Sequence, residues 1–432
     1  MPHPSRRRFF HRAAIQALAI QILPILICAH ALRALRLPPW TILVPLLLLL
    51  NSALPLYLRH LVPERPLPLL LRRGILRPFF AWLLMCLALQ LPGAVMGFIE
   101  LAAFLTAPSA PASLGPAGPM STPSAMGTAA VGLVSAALLI GLHGTYVRPR
   151  WVVQRRIELP LEGLPPGWRG ARIVHLSDLH IGNFQPPEWI NKQIDKVNRL
   201  DADLILITGD LINSGTHYID AAAAALGRLS AGHGVYISLG NHDYWGDIDR
   251  LIDALERRGL HVLRNDARRI IRRGDALAIA AVDDTWSGRA DLDRTMRKTS
   301  GRPFILLSHD PMLFPKALER GIPLTLSGHT HGGQLAMPFI PAFNISARTY
   351  PYSSGLYQEG TCRIYVNRGL GTTGPAIRIG AAPEIVCITL ADPDESASLA
   401  ASPARSIAAP GASPDPPGST PRRGHRTGDQ QP

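Results

Sequence analysis

Hydrophobicity along this chain falls into two regimes that meet near residue 150. Upstream, apolar residues run in long blocks: Ala13 to Leu32, Thr41 to Leu58, Phe79 to Leu105 and Ala129 to Val147. Each block approaches the roughly 20 residues a helix needs to cross a bilayer, so residues 1–150 read as a transmembrane region of about four spans. The first block is expected to be retained rather than cleaved as a signal peptide. Pro24 interrupts it, no small-residue cleavage site follows it, and further spans come after it. The third is read as one span, with a break at Pro92-Gly93 as the alternative.

Downstream, apolar residues come in runs of four or five that alternate with amphipathic stretches, the pattern of an α/β domain over residues 151–390. Five runs end in a polar cluster: Ile173–Leu176 before "SDLH", Leu204–Ile207 before "TGD", Val235–Leu239 before "GNHD", Phe304–Leu307 before "SHD" and Ile322–Leu326 before "SGHTH". Each predicts a strand handing over to a loop. Helices are expected over residues 188–200, 220–229, 247–258 and 311–320; Ile248, Leu251, Ile252 and Leu255 supply an amphipathic face. A hairpin turning at Gly274-Asp275 and late strands over 363–366 and 384–390 predict a second sheet. Residues 107–126 and 391–432 are rich in Pro, Ser, Ala and Gly; they predict a flexible loop and a disordered tail.

Charge sharpens this division. Residues 1–150 hold thirteen of the 44 Lys and Arg but only two acids, Glu64 and Glu100, so they carry most of the net charge of +13. The α/β half is nearly neutral, which removes the reason to expect a nucleic-acid partner. Arginine clusters at residues 6–12, 59–77 and 148–156 alternate with arginine-poor loops. The positive-inside rule then puts both termini and the α/β domain in the cytoplasm, as a multi-pass inner-membrane protein whose partner is the lipid bilayer. Glu100 is a candidate intramembrane acid or an interfacial carboxylate. Four cysteines form no metal knuckle, and Cys362 and Cys387 are paired or free.

The strand ends collect Asp178, His180, Asp210, Asn241, His242, His309, His329 and His331. Mixed oxygen and nitrogen donors without thiolate suit Mn, Fe or Zn. Residues i and i+2 of an extended segment project to one side, so Asp178 with His180, and His329 with His331, can approach one metal region. Gly328, Gly332 and Gly333 permit the close approach such a turn requires. Eight such groups exceed one tetrahedral ion, which points to two divalent metal ions sharing a carboxylate. Such a pair polarises a phosphoryl oxygen and lowers the pKa of a bridging water, the requirement for phosphate-ester hydrolysis.

Asp178-Leu179-His180, Gly209-Asp210, Gly240-Asn241-His242-Asp243, Ser308-His309 and Gly328-His329-Thr330-His331 resemble the five ordered blocks of the calcineurin-like metallophosphoesterases. The stretch from Tyr365 to Ile385 resembles the bacterial membrane-associated branch. The resemblance implies a four-layer sandwich of two mixed sheets flanked by helices. It implies Asp178, His180 and His331 on one metal, Asn241, His309 and His329 on the other, Asp210 bridging, and His242 as a phosphate-contacting general acid. One position departs. Phosphoprotein phosphatases of the family carry an aspartate three residues after the bridging one, where this chain has Asn213, so an oriented His-Asp pair is not expected.

Arg368 and Arg378 are candidate substrate contacts, because guanidinium matches phosphate bidentately; the alternative is a solvated surface arginine. His175, His217, His233 and His261 are expected to be structural. Asp201, Asp203, Asp283 and Asp284 are expected to cap or solvate loops. The expected function is a membrane-anchored two-metal phosphohydrolase acting on a phosphate ester or pyrophosphate, with a lipid-linked phosphate among the candidate substrates. The alternatives are a non-catalytic membrane sensor or scaffold, which would lack a ligand, and a regulated transporter, which would carry polar residues through its spans.

Overall fold

The computed structural model describes residues 20–43, 66–106, 125–299, 304–336, 344 and 346–392. Most of the second apolar block, nearly all of the 107–126 loop and the tail beyond Asp392 lie outside these residues. The helices are α1 (Ile22–Ala34), α2 (Arg77–Ala88), α3 (Gln90–Thr106), α4 (Ala125–Leu142), α5 (Pro187–Asn198), α6 (Ile219–Leu226), α7 (Ile248–Glu256), α8 (Leu292–Arg297) and α9 (Phe314–Glu319). The strands are β1 (Val153–Pro160), β2 (Arg172–Leu176), β3 (Leu204–Thr208), β4 (Val235–Ser238), β5 (His261–Val262), β6 (Asp266–Arg272), β7 (Asp275–Ala281), β8 (Ile305–Leu307), β9 (Leu324–Ser327), β10 (Gly355–Glu359), β11 (Cys362–Val366) and β12 (Glu384–Ala391).

Alternation along the strands assigns each side chain to a layer. In β3, Leu204 and Leu206 face the space between two sheets, while Ile205 and Ile207 face α5, α6 and α7. In β8, Ile305 and Leu307 point inward and Leu306 points to α8 and α9. Both faces of these strands are buried, so the runs are continuously apolar, as expected of strands covered on both sides. The result is two six-stranded sheets, β1-β12-β2-β3-β4-β5 and β10-β11-β9-β8-β7-β6. Both are mixed: β2, β3, β4 and β5 pair in parallel, as do β11, β9, β8 and β7, while β12 is antiparallel to β2 and β6 to β7. The expected α/β sandwich is therefore observed. Trp168 sits fully buried between the sheets with its indole N–H on the Asp275 carbonyl at 3.0 Å.

The helical region is described only in part, so the four expected spans are not all represented among the described residues. Helix α4, continued through a wide π-helical turn (His143–Val147) and a short 3-10 turn to Arg150, makes a 26-residue element long and apolar enough to cross a membrane. The third apolar block is two helices, α2 and α3, bent by 48°. Pro92 accounts for the bend: its ring excludes the carbonyl of Ala88 four residues earlier, so the helix breaks at Leu89 rather than at the proline itself. Among the described residues, one helix, or two if the bent pair counts once, qualifies as a span.

The polar expectations divide as well. All four cysteines are free and buried. Asp283 and Asp284 are buried rather than solvated; Asp284 accepts the Ser287 N–H at 2.6 Å and Asp283 accepts from the Tyr244 hydroxyl and from Arg264. Asp203 joins the sheets, accepting the Arg172 N–H at 2.7 Å and Arg272 Nε at 2.9 Å.

Candidate functional site

The eight singled-out strand-end side chains meet at the carboxyl ends of β2, β3 and β4 in one sheet and of β8 and β9 in the other, the usual position for a site in such folds. Ligand atoms of Asp178, His180 and His331 lie within 4.8 Å of one another, as do those of Asp178, Asp210 and His309, and of His180, Asp210 and His242. His180 Nε2 is 3.0 Å from His331 Nε2 and 3.4 Å from Asp210 Oδ2; His309 Nε2 is likewise 3.4 Å from Asp210 Oδ2. His329 stands at the edge, its Nδ1 3.2 Å from His309 Nε2.

The backbone is bent to bring them there. Asp178, His180, Asp210, His329 and His331 all have positive φ, between 46° and 69°. Non-glycine residues seldom adopt this region, and five of them in one cluster mark strain held by the surrounding fold. Gly240 lets two loops touch: a Cβ there would lie 2.4 Å from Asp210 Oδ1 and 2.9 Å from His309 Nε2.

Crowding sets the charges. Burial pushes the Asp178 carboxyl up to about 6 despite nearby His309. Burial, with neighbouring cations, holds His180 and His331 well below the usual imidazole range. His309 goes the other way: burial opposes its protonation, but Asp210 and Asp178 hold it well above that range. Imidazole nitrogens gathered beside two buried carboxylates form the donor set of a divalent cation. Asn241 Oδ1 fits the same description, being a buried acceptor without a hydrogen-bond partner among the described residues. The residues present therefore fit a metal.

His242 is oriented differently from the expectation raised by Asn213. Its Nδ1 lies 2.7 Å from the main-chain carbonyl of Asn213, which can only accept, so Nδ1 carries a proton and Nε2 faces Thr373 Oγ1 at 3.3 Å. Asp243 accepts the N–H groups of Leu211, Ile212 and Gly240 at 2.8, 3.3 and 2.9 Å, tying two strand-end loops together.

Arg378 is neither a surface arginine nor open to a substrate. It is fully buried, its guanidinium donating to the carbonyls of Arg368, Gly369, Gly371 and Ala381 and meeting His331 Nδ1 at 3.2 Å. A glycine-rich loop exposes these carbonyls, and they consume the donors a phosphate would need. Arg368 is partly exposed, 3.6 Å from Glu384. His175 is buried on Thr208, as expected of a structural histidine, and His261 stacks on Tyr236.

Sequence reasoning missed several neighbours. The Tyr350 hydroxyl meets His329 Nε2 at 2.9 Å, and the exposed rings of Trp286 and Trp245 lie 5.3 and 3.8 Å from those of His329 and His242. Tryptophans set in polar stretches, Trp245 just after the "GNHD" block and Trp286 just after Asp283-Asp284, are the signal that could have flagged two of them.

A model of the calcineurin-like phosphoesterase family matches residues 171–333. The uncharacterized metallophosphoesterase YkuE of Bacillus subtilis is 34% identical over 253 residues, covering 57% of this chain and 88% of that protein. A transmembrane protein with metallophosphoesterase domain from Danio rerio is 33% identical over 249 residues, covering 54% of this chain and 56% of the relative. An uncharacterized metallophosphoesterase of Helicobacter pylori is 31% identical over 227 residues, covering 51% of this chain and 59% of the relative. This chain thus spans little more than half the length of the latter two. The YkuE match, extending over most of that protein and joined to the ordered Asp, Asn and His cluster, makes this chain a member of the calcineurin-like metallophosphoesterases and a metal-dependent phosphoester hydrolase.

Proposed function

We propose that the chain is a membrane-anchored phosphohydrolase in which Asp178, His180 and His331 hold one divalent ion, Asn241, His309 and His329 a second, and Asp210 both. When bound, such ions polarise a phosphoryl oxygen and lower the pKa of water. The chain's own residues supply the remainder. The main-chain carbonyl of Asn213 fixes the His242 ring with its proton on Nδ1, leaving Nε2 toward the cleft to carry a second proton to the leaving oxygen. Tyr350 steadies the His329 ring from the far side. Burial of Asp178, His180 and His331 keeps competing water from the donor atoms.

The observation that carries the membrane part of this reading is the packing of the loop after Thr373. Ala376 and Ile377 are buried in the same cluster as Phe79, Trp82, Leu84 and Met85 of α2, with Phe184, Leu335 and Ile379 against it. Loops that border the site thus pack on apolar helices, which supports a substrate whose phosphate is linked to a lipid. The four-span arrangement, the cytoplasmic orientation, and a division into an anchor over residues 1–150, a catalytic unit over 151–390 and a tail over 391–432 belong to the same proposal.

Full-length protein with Mn²⁺ is expected to hydrolyse a chromogenic phosphodiester, and Asp210→Asn and His331→Ala to lose that activity. Unchanged turnover in both variants would refute the ligand assignment. A membrane-lipid extract treated with wild type and with Asp210→Asn tests the lipid link, since a species consumed by wild type alone identifies the substrate. A reporter fused after residue 390 that is active in the periplasm would overturn the orientation.

A further inference from the structure

Where the helical region meets the α/β domain there is a cavity of about 730 Å³, within the size range of small-molecule sites. Arg72, Arg73, Arg77, Arg150 and Lys192 line it, with Glu188 as the one carboxylate among the described residues. The contacts these arginines make are with neutral groups. Arg72 Nη1 donates to the Asn183 carbonyl at 2.6 Å, Arg150 Nη1 donates to the Tyr146 carbonyl at 3.3 Å, and the Arg77 guanidinium lies 6.0 Å from the Tyr146 ring centre. Guanidinium groups gathered this closely repel one another unless an anion joins them.

Arg72 Nε and Thr145 Oγ1 are shielded from solvent and make no hydrogen bond among the described residues, and Thr145 is only 2% exposed. A phosphate group is the natural complement: its oxygens accept only, and they match paired guanidinium donors bidentately. The rim indicates what carries that phosphate. Leu69 lines the cavity, and it and the adjacent Leu70 are exposed to 52% and 81%, a greasy edge beside a cationic well. Basic pockets bordered by apolar helices take phospholipid headgroups for this reason.

We infer that this cavity binds the phosphate of a phospholipid headgroup, at a position separate from the metal cluster. None of the eight strand-end side chains lines it, so the inference does not rest on the proposed ligand roles. Its wall is nonetheless one loop away from them. Asn183 lies three residues beyond His180, and Gln185, also in the wall, donates to Thr372 Oγ1 at 2.8 Å, next to the threonine that faces His242. A headgroup seated there braces both loops.

The test is equilibrium binding of a fluorescent phosphatidic acid to the full chain in a neutral detergent, with phosphatidylcholine and inorganic phosphate as competitors. Saturable binding is expected, weakened about tenfold or more in the Arg73→Gln/Arg150→Gln double variant. Glu188→Gln, which removes the carboxylate that repels the ligand, is expected to tighten it, an outcome that general misfolding does not produce. Asp210→Asn should bind like wild type, which separates this site from the metal cluster. Displacement by inorganic phosphate at concentrations comparable to the lipid would identify free phosphate as the occupant and overturn the lipid assignment; displacement only at far higher concentrations supports the headgroup. Unsaturable partitioning, or equal binding by wild type, the double variant and Glu188→Gln, would overturn the site altogether.

Discussion

His242 is held through Nδ1 by the main-chain carbonyl of Asn213 at 2.7 Å, not by a carboxylate. A backbone acceptor fixes the ring and its tautomer as a carboxylate would, but adds no full negative charge. Its Nε2 is therefore the position available for a proton in the cleft.

Substitution separates the carbonyl from the side chain. Asn213→Ala keeps the main-chain acceptor and is expected to change kcat by less than about twofold, whereas His242→Asn is expected to lower kcat by roughly 10²–10⁴, the usual contribution of a positioned acid. Steady-state kinetics on a phosphodiester with a poor leaving group checks both. A substrate whose leaving group needs no proton should be much less sensitive to His242→Asn, and equal losses on both substrates would remove His242 from the role of acid.

Gly240 is the point where the β3 and β4 loops touch. An alanine Cβ would meet Asp210 Oδ1 at 2.4 Å, the Asp210 N–H nitrogen at 2.6 Å and His309 Nε2 at 2.9 Å, and none of these is the free end of a flexible chain. Gly240→Ala is expected to cost about 1–3 kcal/mol of stability through overpacking and to weaken Mn²⁺ binding. Thermal unfolding with and without Mn²⁺ measures the two effects, and a variant that binds metal like wild type would show that the loops have room to part.

The strand-end cluster was legible because its residues close apolar runs whose period assigns them to one end of a sheet. What stayed hidden lacks a sequence mark. The orienting partner of His242 is a carbonyl that any residue carries, so the side chain at position 213 was a misleading guide. Tyr350 reaches His329 across 21 residues of chain that no local pattern connects. Arg378 was unreadable for the opposite reason: an arginine in a glycine-rich stretch looks exposed, and only the folded loop gathers the carbonyls around it. The break in the third apolar block was visible as Pro92, but displaced, because the proline acts on the carbonyl four residues earlier.

Acid should destabilise the α/β domain through His175. Burial pushes this imidazole down from 6.5 to about 3, so the folded state keeps it neutral, with Nε2 2.9 Å from Thr208 Oγ1. The unfolded chain takes up the proton first. The contribution of His175 is therefore fully present above about pH 6.5 and is lost as the pH falls toward 3, at close to 1.4 kcal/mol per pH unit. Between about pH 7 and about pH 5 the expected loss from this group is roughly 2 kcal/mol. Urea unfolding at the two values measures it, and His175→Phe, which cannot titrate, should flatten the dependence. An unchanged slope would assign the acid sensitivity to other groups.

Asn241 allows the proposed metal centre to be tested by a change of sign. Its Oδ1 is buried and has no hydrogen-bond partner among the described residues, a state that costs about 1–3 kcal/mol in a metal-free protein. Asn241→Leu removes that acceptor at similar volume. In excess chelator the variant is expected to be as stable as wild type or more so, by up to about that amount. With Mn²⁺ at about a hundred times its Kd, wild type gains roughly 2.7 kcal/mol by mass action, and a variant deprived of a ligand gains much less. The order of the two unfolding temperatures should therefore reverse between chelator and metal. If Asn241→Leu is the less stable protein in both, the amide has a structural role, and the second ion must be held by His309, His329 and Asp210 alone.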